Sequence, residues 1–114
     1  MIAADLIRGH TETIILAQLM QRDSYGYEIN KTIRVLTNES YELKEATLYT
    51  AFKRLEDMGH IVSYWGEEAT GARRRYYRIT DAGRLAYHRQ VEAWDTAKVI
   101  IDKLIELEED RYER

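Results

Sequence analysis

Between positions 73 and 78 the chain reads Arg-Arg-Arg-Tyr-Tyr-Arg, four cations in six residues with no anion among them. Guanidinium groups crowded in this way repel one another, and the chemistry they suit is the neutralisation of phosphate. A second set lies upstream, where Thr47, Tyr49, Thr50, Lys53 and Arg54 occupy faces of a predicted helix that its apolar residues leave open. Thr and Tyr hydroxyls bond phosphates or base edges, a Thr methyl packs on a thymine methyl, and Lys and Arg neutralise phosphate. Tyr25, at the start of a preceding helix, and Lys44, just before this one, complete the set expected to face DNA. Taken alone, each set also suits a solvated surface, with Glu67 and Glu68 as partial counter-charge for the arginines. Helix and cationic ribbon together match a groove-plus-backbone footprint on double-stranded DNA.

Reaction chemistry finds little support. His10, His60 and His88 are far apart and form no metal-ligand spacing, and there is no Cys for thiol chemistry, disulfides or thiolate metal sites. The pairs Glu67-Glu68 and Glu108-Glu109 are more simply solvated charge than an acid–base pair. No nucleophile elbow, phosphate loop or dinucleotide motif appears. No enzyme, catalytic residue, metal or cofactor is expected.

The elements that must position these residues follow from periodicity. Leu6, Ile7, Ile14, Ile15, Leu16, Leu19 and Met20 predict a first helix over 5–21, apolar nearly all round and so in need of cover on several sides. Asp23 or Ser24 is expected to cap a second helix with the stripe Tyr25, Ile29, Ile33 and Leu36, which Asn38 stops. After a short extended segment over 39–43, a third helix spans about 45–58, with Leu48, Phe52 and Leu55 inward and Gly59 as its left-handed stop. The period then changes to that of a hairpin, with strands at 61–65 and 74–79 around a loop of about seven residues. Alternation sends Arg74, Tyr76 and Arg78 to one side and Arg73, Arg75 and Tyr77 to the other, a ribbon with cations on both faces and little core. Thr80 caps a last helix that continues to about Asp110.

Three short helices, a two-stranded hairpin and one long helix define the expected fold class: mainly α with a small β-hairpin, a winged helix-turn-helix plus a long C-terminal dimerisation helix. The division falls at residues 1–79 and 80–114. The last helix is too long for so small a domain to cover, and Tyr87, Val91, Trp94, Ile101 and Ile105, with Ala97 and Leu104 alongside, form a stripe suited to a two-fold seam. A Trp in such a seam holds the helices apart. Trp94 and Val91 on the last helix, with Leu6, Thr13, Leu16 and Ala17 on the first, are therefore the expected walls of a slot for a planar aromatic ligand.

Composition agrees. The 114 residues include no Pro and only six Gly, an inventory for helices rather than sheets. A net charge of −3 argues against a nucleic-acid partner until it is located. Residues 105–114 hold five acidic residues against two arginines, which accounts for the whole excess. The longest apolar run is Ile14-Ile15-Leu16-Ala17, and no signal-peptide pattern opens the chain, so no membrane association and a cytoplasmic location are expected.

The blocks Ser24-Tyr25-Gly26-Tyr27-Glu28-Ile29, Ala46 to Glu56 with Thr47-Leu48-Tyr49, and Gly71 to Thr80 with its Arg-rich Tyr-Tyr strand resemble the PadR family of bacterial transcription regulators. The short C-terminal region is similar to the small branch of that family, and the chain looks most like its multidrug-binding repressors. The resemblance implies a winged helix, one dimerisation helix, and repression relieved by an aromatic ligand. It places Trp94 opposite its symmetry mate across a central pore, with Lys98 where those repressors carry an acid, so the preference of that pore for cations does not carry over directly. Glu12 and Asp95 are expected to offset the lysine. The rival expectation is a dimeric aromatic-ligand-binding or interaction protein with no DNA role.

Overall fold

The structure is a computed structural model and describes residues 4–67 and 73–106. In chain order the elements are α1 (Ala4–Arg8), α2 (Thr11–Leu19), α3 (Gly26–Leu36), α4 (Glu45–Asp57), β1 (Ile61–Trp65), β2 (Arg75–Ile79) and α5 (Asp81–Ile105).

The single helix expected over 5–21 is two. The His10 N–H closes a turn on the Ile7 carbonyl at 2.8 Å, and the Thr11 hydroxyl donates to the Arg8 carbonyl at 2.8 Å. Gly9 holds the helical conformation weakly, which is why the break falls there. Beyond it Ile15, Leu16 and Leu19 are buried and Ile14 packs against the same core, the many-sided cover that an all-round apolar helix requires. Neither Asp23 nor Ser24 caps α3. Ser24 instead pairs with the hairpin: its N–H donates to the Tyr77 carbonyl at 3.2 Å and its carbonyl accepts from the Tyr77 N–H at 2.8 Å. Tyr25 takes the cap position with no side-chain cap.

Ile29 and Ile33 carry the buried stripe of α3, while Leu36 is 75% exposed because the chain turns away directly after it. Asn38 and Glu39 make that turn with φ of 52° and 64°, left-handed geometry that Asn tolerates better than most residues. The extended segment that follows is held by Asn30, whose amide donates to the Leu43 carbonyl and accepts from the Leu43 N–H, both at 2.8 Å. This side chain does for one residue what a neighbouring strand would do, and it fixes the direction in which the chain enters α4.

Helix α4 buries Leu48, Ala51, Phe52 and Leu55 and stops at Gly59, with φ of 76°. Phe52 stacks on Tyr77 of the hairpin, 3.8 Å between ring centres. The hairpin pairs Ile61 with Ile79, Ser63 with Tyr77 and Trp65 with Arg75. Its second strand starts at Arg75, one residue later than expected, and residues 68–72 of its connection lie outside the described residues. The ribbon has a true buried face, since Ile61, Tyr77 and Ile79 all belong to the core. A ribbon with little to bury does not describe it; Tyr77, expected on a face with Arg73 and Arg75, points inward because Phe52 lies against it.

Thr80 ties the hairpin to α5. Its N–H donates to the His60 carbonyl at 3.0 Å, its hydroxyl donates to the Gly59 carbonyl at 2.7 Å, and the hydroxyl oxygen caps the helix by accepting from the Gly83 N–H at 3.0 Å. Helix α5 then runs for 25 residues, about 37 Å at 1.5 Å per residue. Ala86 and Tyr87 pack on the core, but Val99, Ile100, Ile101, Leu104 and Ile105 are each about half exposed or more. The part of this helix expected beyond residue 106 lies outside the described residues.

Candidate nucleic-acid interface

With one face of α4 committed to the core, its other faces carry the expected DNA set. Lys44 precedes the first turn and is exposed, as are Tyr49, Thr50 and Lys53; Thr47 is half-buried. Tyr49 lies edge-on to Phe52, 5.5 Å between ring centres, and its hydroxyl lies over Gly26, where a Cβ would come within 2.8 Å. A side chain at position 26 would therefore make the tyrosine shift. Lys53 reaches Asp57 at 3.4 Å on the open surface. Arg54 differs from its neighbours: it turns towards α2 and bonds Glu12 at 2.8 Å. Of the two acids expected to offset Lys98, Asp95 pairs with it at 3.3 Å, whereas Glu12 is Arg54's partner.

Two arginines of the hairpin have carboxylates beside them; Glu68, one of the two loop acids expected as counter-charge, lies outside the described residues. Arg75 lies 3.7 Å from Glu56 and donates to the Ser63 hydroxyl at 2.8 Å, while Arg78 bonds Asp23 at 3.2 Å. Glu56 and Asp23 supply counter-charge to these two, one from α4 and one from the turn before α3. Aromatic rings order the rest. Arg73 and Arg75 both lie over Trp65, at 5.6 and 5.7 Å, and Arg74 lies over Tyr25 at 4.8 Å. Tyr25 is half-buried and edge-on to Tyr76. Two phenols are displaced upward from their ordinary pKa. Tyr64 is held protonated chiefly by donating to Asp23, at 2.6 Å, and Tyr77 chiefly by burial.

A cleft of about 790 Å³ opens between the α1–α2 junction, α4 and the middle of α5. Of the expected ligand walls it brings together Thr13, bonded to Gln90, and Trp94, whose ring meets His10 edge-on at 4.7 Å. Leu6, Ala17, Val91 and Lys98 do not line it, although Lys98 lies over the Trp94 ring at 5.7 Å. Leu16 must be corrected: it is fully buried in the core and cannot face a slot, because α2 is covered on the side where Leu16 points. The cleft's other wall is Thr47, Thr50 and Arg54 of α4, residues expected to face DNA. Asn30 and Glu56 carry no local sequence signal, and Asp23 and Glu12 carry one only for other roles; each acts through a partner at least seven positions away. Among the described residues no group of three or more His, Asp or Glu could hold a metal, and no helix is long and apolar enough to cross a membrane.

Four helices, a hairpin tied back to the turn before α3, and a long last helix make this a winged-helix protein of the regulator type. Residues 15–89 match the transcriptional regulator PadR-like family, and the chain belongs to that family, whose members are regulators and not enzymes. A transcriptional regulator from Clostridium thermocellum is 52% identical, with 90% of this chain and 97% of that chain covered and a TM-score of 0.82. A PadR family regulator from Clostridium difficile is 33% identical over 84% of this chain and 98% of that one, with a TM-score of 0.72. The fold is also that of Bacillus subtilis PadR, solved in complex with operator DNA: 24% identity, 70% of this chain and 45% of that chain, TM-score 0.63.

Proposed function

We propose that this regulator is a homodimeric repressor that binds operator DNA and leaves it when a planar aromatic compound binds near Trp94. The DNA-binding unit is residues 1–79 and the dimerisation unit residues 80–114. The observation that carries the DNA part is the outward face of α4, where Tyr49, Thr50 and Lys53 are all exposed on a helix whose opposite face is rigidly packed. Two such helices related by a two-fold axis enter successive major grooves, and the operator has inverted half-sites about one helical turn apart or a multiple of it. Arg73, Arg74 and Arg75 grip the flanking backbone. The bare apolar end of α5 supports the dimer, since a patch of this kind on one chain is the usual mark of an interface.

The small-branch, multidrug-type resemblance supports the effector, and so does the cleft that Trp94 shares with Thr47, Thr50 and Arg54. An occupant of that space touches or displaces the recognition helix, and it drives release only as far as it prefers the displaced arrangement. The test is binding of the protein to DNA from its own promoter across a salt series. Replacing Arg73 and Arg74 by Ala lowers the magnitude of the salt slope by roughly 0.9 for each lost phosphate contact. Planar aromatics titrated into a Trp65→Phe background quench Trp94 and weaken operator binding in the same concentration range. A protein that binds the aromatics but shows no salt-dependent DNA binding is a ligand-binding module without a DNA role, and the proposal fails.

A further inference from the structure

The face of the hairpin turned away from the core carries an assembly whose far end, at Arg78, is not used by the DNA contacts proposed for Arg73, Arg74 and Arg75. Tyr64 and Tyr76 stack across the two strands at 5.6 Å, and Tyr25 meets Tyr76 edge-on at 5.2 Å. Arg74 lies over Tyr25 at one end of this row and Arg78 over Tyr64, at 5.0 Å, at the other. Asp23 closes the Arg78 end. One of its oxygens accepts from the Tyr64 hydroxyl at 2.6 Å and from the Arg78 guanidinium at 3.2 Å.

This carboxylate is not required to hold the hairpin in place. The backbone bridge between Ser24 and Tyr77 already fixes the strand to the turn, and Phe52 stacks on Tyr77 from beneath. The Asp23–Arg78 pair is partly open, with 59% of the arginine side chain and 32% of the aspartate side chain exposed. A pair so open contributes little to stability. What it does change is the charge that the hairpin can offer. Arg78 stands two residues from Tyr76 on the face that Arg74 also borders, so a released guanidinium there is one more phosphate ligand.

Resting on the DNA-binding reading above, we propose that Asp23 is a specificity-determining residue: it holds Arg78 off the phosphate backbone and so limits the sequence-independent part of DNA binding. Each cation placed on phosphate strengthens binding to every sequence alike and steepens its salt dependence. A regulator's selectivity is the ratio of operator to bulk DNA affinity, so a cation without base information erodes it. Arg73 and Arg74 at the mouth of the strand then provide the grip, and Arg78 serves the tyrosine row.

The experiment compares the full-length protein with Asp23→Asn, Arg78→Gln and the double variant, each titrated with operator DNA and with a scrambled duplex over a salt series. Asp23→Asn is expected to bind the scrambled duplex several-fold more tightly, with the salt slope steeper by about 0.9, and to lose operator selectivity. Arg78→Gln alone keeps the wild-type slope, and adding it to Asp23→Asn restores that slope. In the absence of DNA, Asp23→Asn also lowers the alkaline titration of one tyrosine, identified as Tyr64 by its loss in Tyr64→Phe. The proposal is overturned if Arg78→Gln itself reduces the slope, which would make Arg78 a phosphate contact in the native protein. It is overturned equally if Asp23→Asn leaves the slope unchanged while wild type binds DNA normally, or weakens both duplexes together with a lower melting temperature. If wild type shows no salt-dependent binding to either duplex, the DNA-binding reading fails first, and this inference with it.

Discussion

Replacing Gly83 by Ala sets two effects of opposite sign against each other at the joint between hairpin and last helix. Within a helix, Ala in place of Gly is favourable by roughly 0.5–1 kcal/mol. At this position, however, the new methyl would stand 2.1 Å from the His60 carbonyl oxygen and 2.7 Å from Ile79 Cγ1. The carbonyl is poorly placed to yield. It accepts the Thr80 N–H at 3.0 Å, and the His60 N–H is itself bonded to the Leu55 carbonyl at 2.9 Å. Relief therefore requires α5 to draw back from the hairpin base by about 1 Å, with the strain of overpacking costing about 1–3 kcal/mol. The same movement stretches the Gly83–Thr80 cap, and a lost cap costs about 1 kcal/mol more. The balance is a destabilisation of about 2 kcal/mol, or a fall of roughly 10 °C in melting temperature for a domain of this size. Urea unfolding followed by circular dichroism, at one fixed chain concentration because an associating protein's stability depends on it, measures the change. A midpoint that rises, as helix propensity alone requires, would refute the argument that the joint is rigid.

Asn30→Ala leaves both backbone groups of Leu43 without the side chain that pairs them. A loss of about 2 kcal/mol is expected in the same unfolding assay; a change within error would mean that the entry to α4 is held by packing alone. Stability should also decline at alkaline pH. Tyr64 and Tyr77 have folded pKa values raised above the ordinary tyrosine value, so the folded state keeps protons that the unfolded chain releases. Their contribution is complete below about pH 10 and is lost as pH climbs through the raised folded values. Tyr77→Phe should flatten that decline relative to wild type, and an unaltered pH profile would show that the buried phenol does not cause it.

Much of this protein is written locally in its chain. The change from helical to alternating periodicity at residue 61, the cap at Thr80 and the left-handed stop at Gly59 are properties of neighbouring residues, and each stands where those residues put it. The outward residues of α4 follow in the same way, since once Leu48, Phe52 and Leu55 turn inward the remaining faces are fixed by 3.6 residues per turn. Tertiary structure decided the pairings. Ser24 has the residue type of a helix cap, yet its backbone pairs with Tyr77, 53 positions away, and the cap passes to Tyr25. The arginine cluster announces phosphate, but the packing of the turn and α4 against the hairpin brings Asp23 beside Arg78 and Glu56 beside Arg75. Arg54 belongs by sequence to the DNA-facing set, and by structure it is also bound to Glu12, 42 positions away. The physical reason is one of range. Backbone periodicity and capping act over a single turn of chain, whereas a charge takes its partner from whatever the folded core brings within a few ångströms.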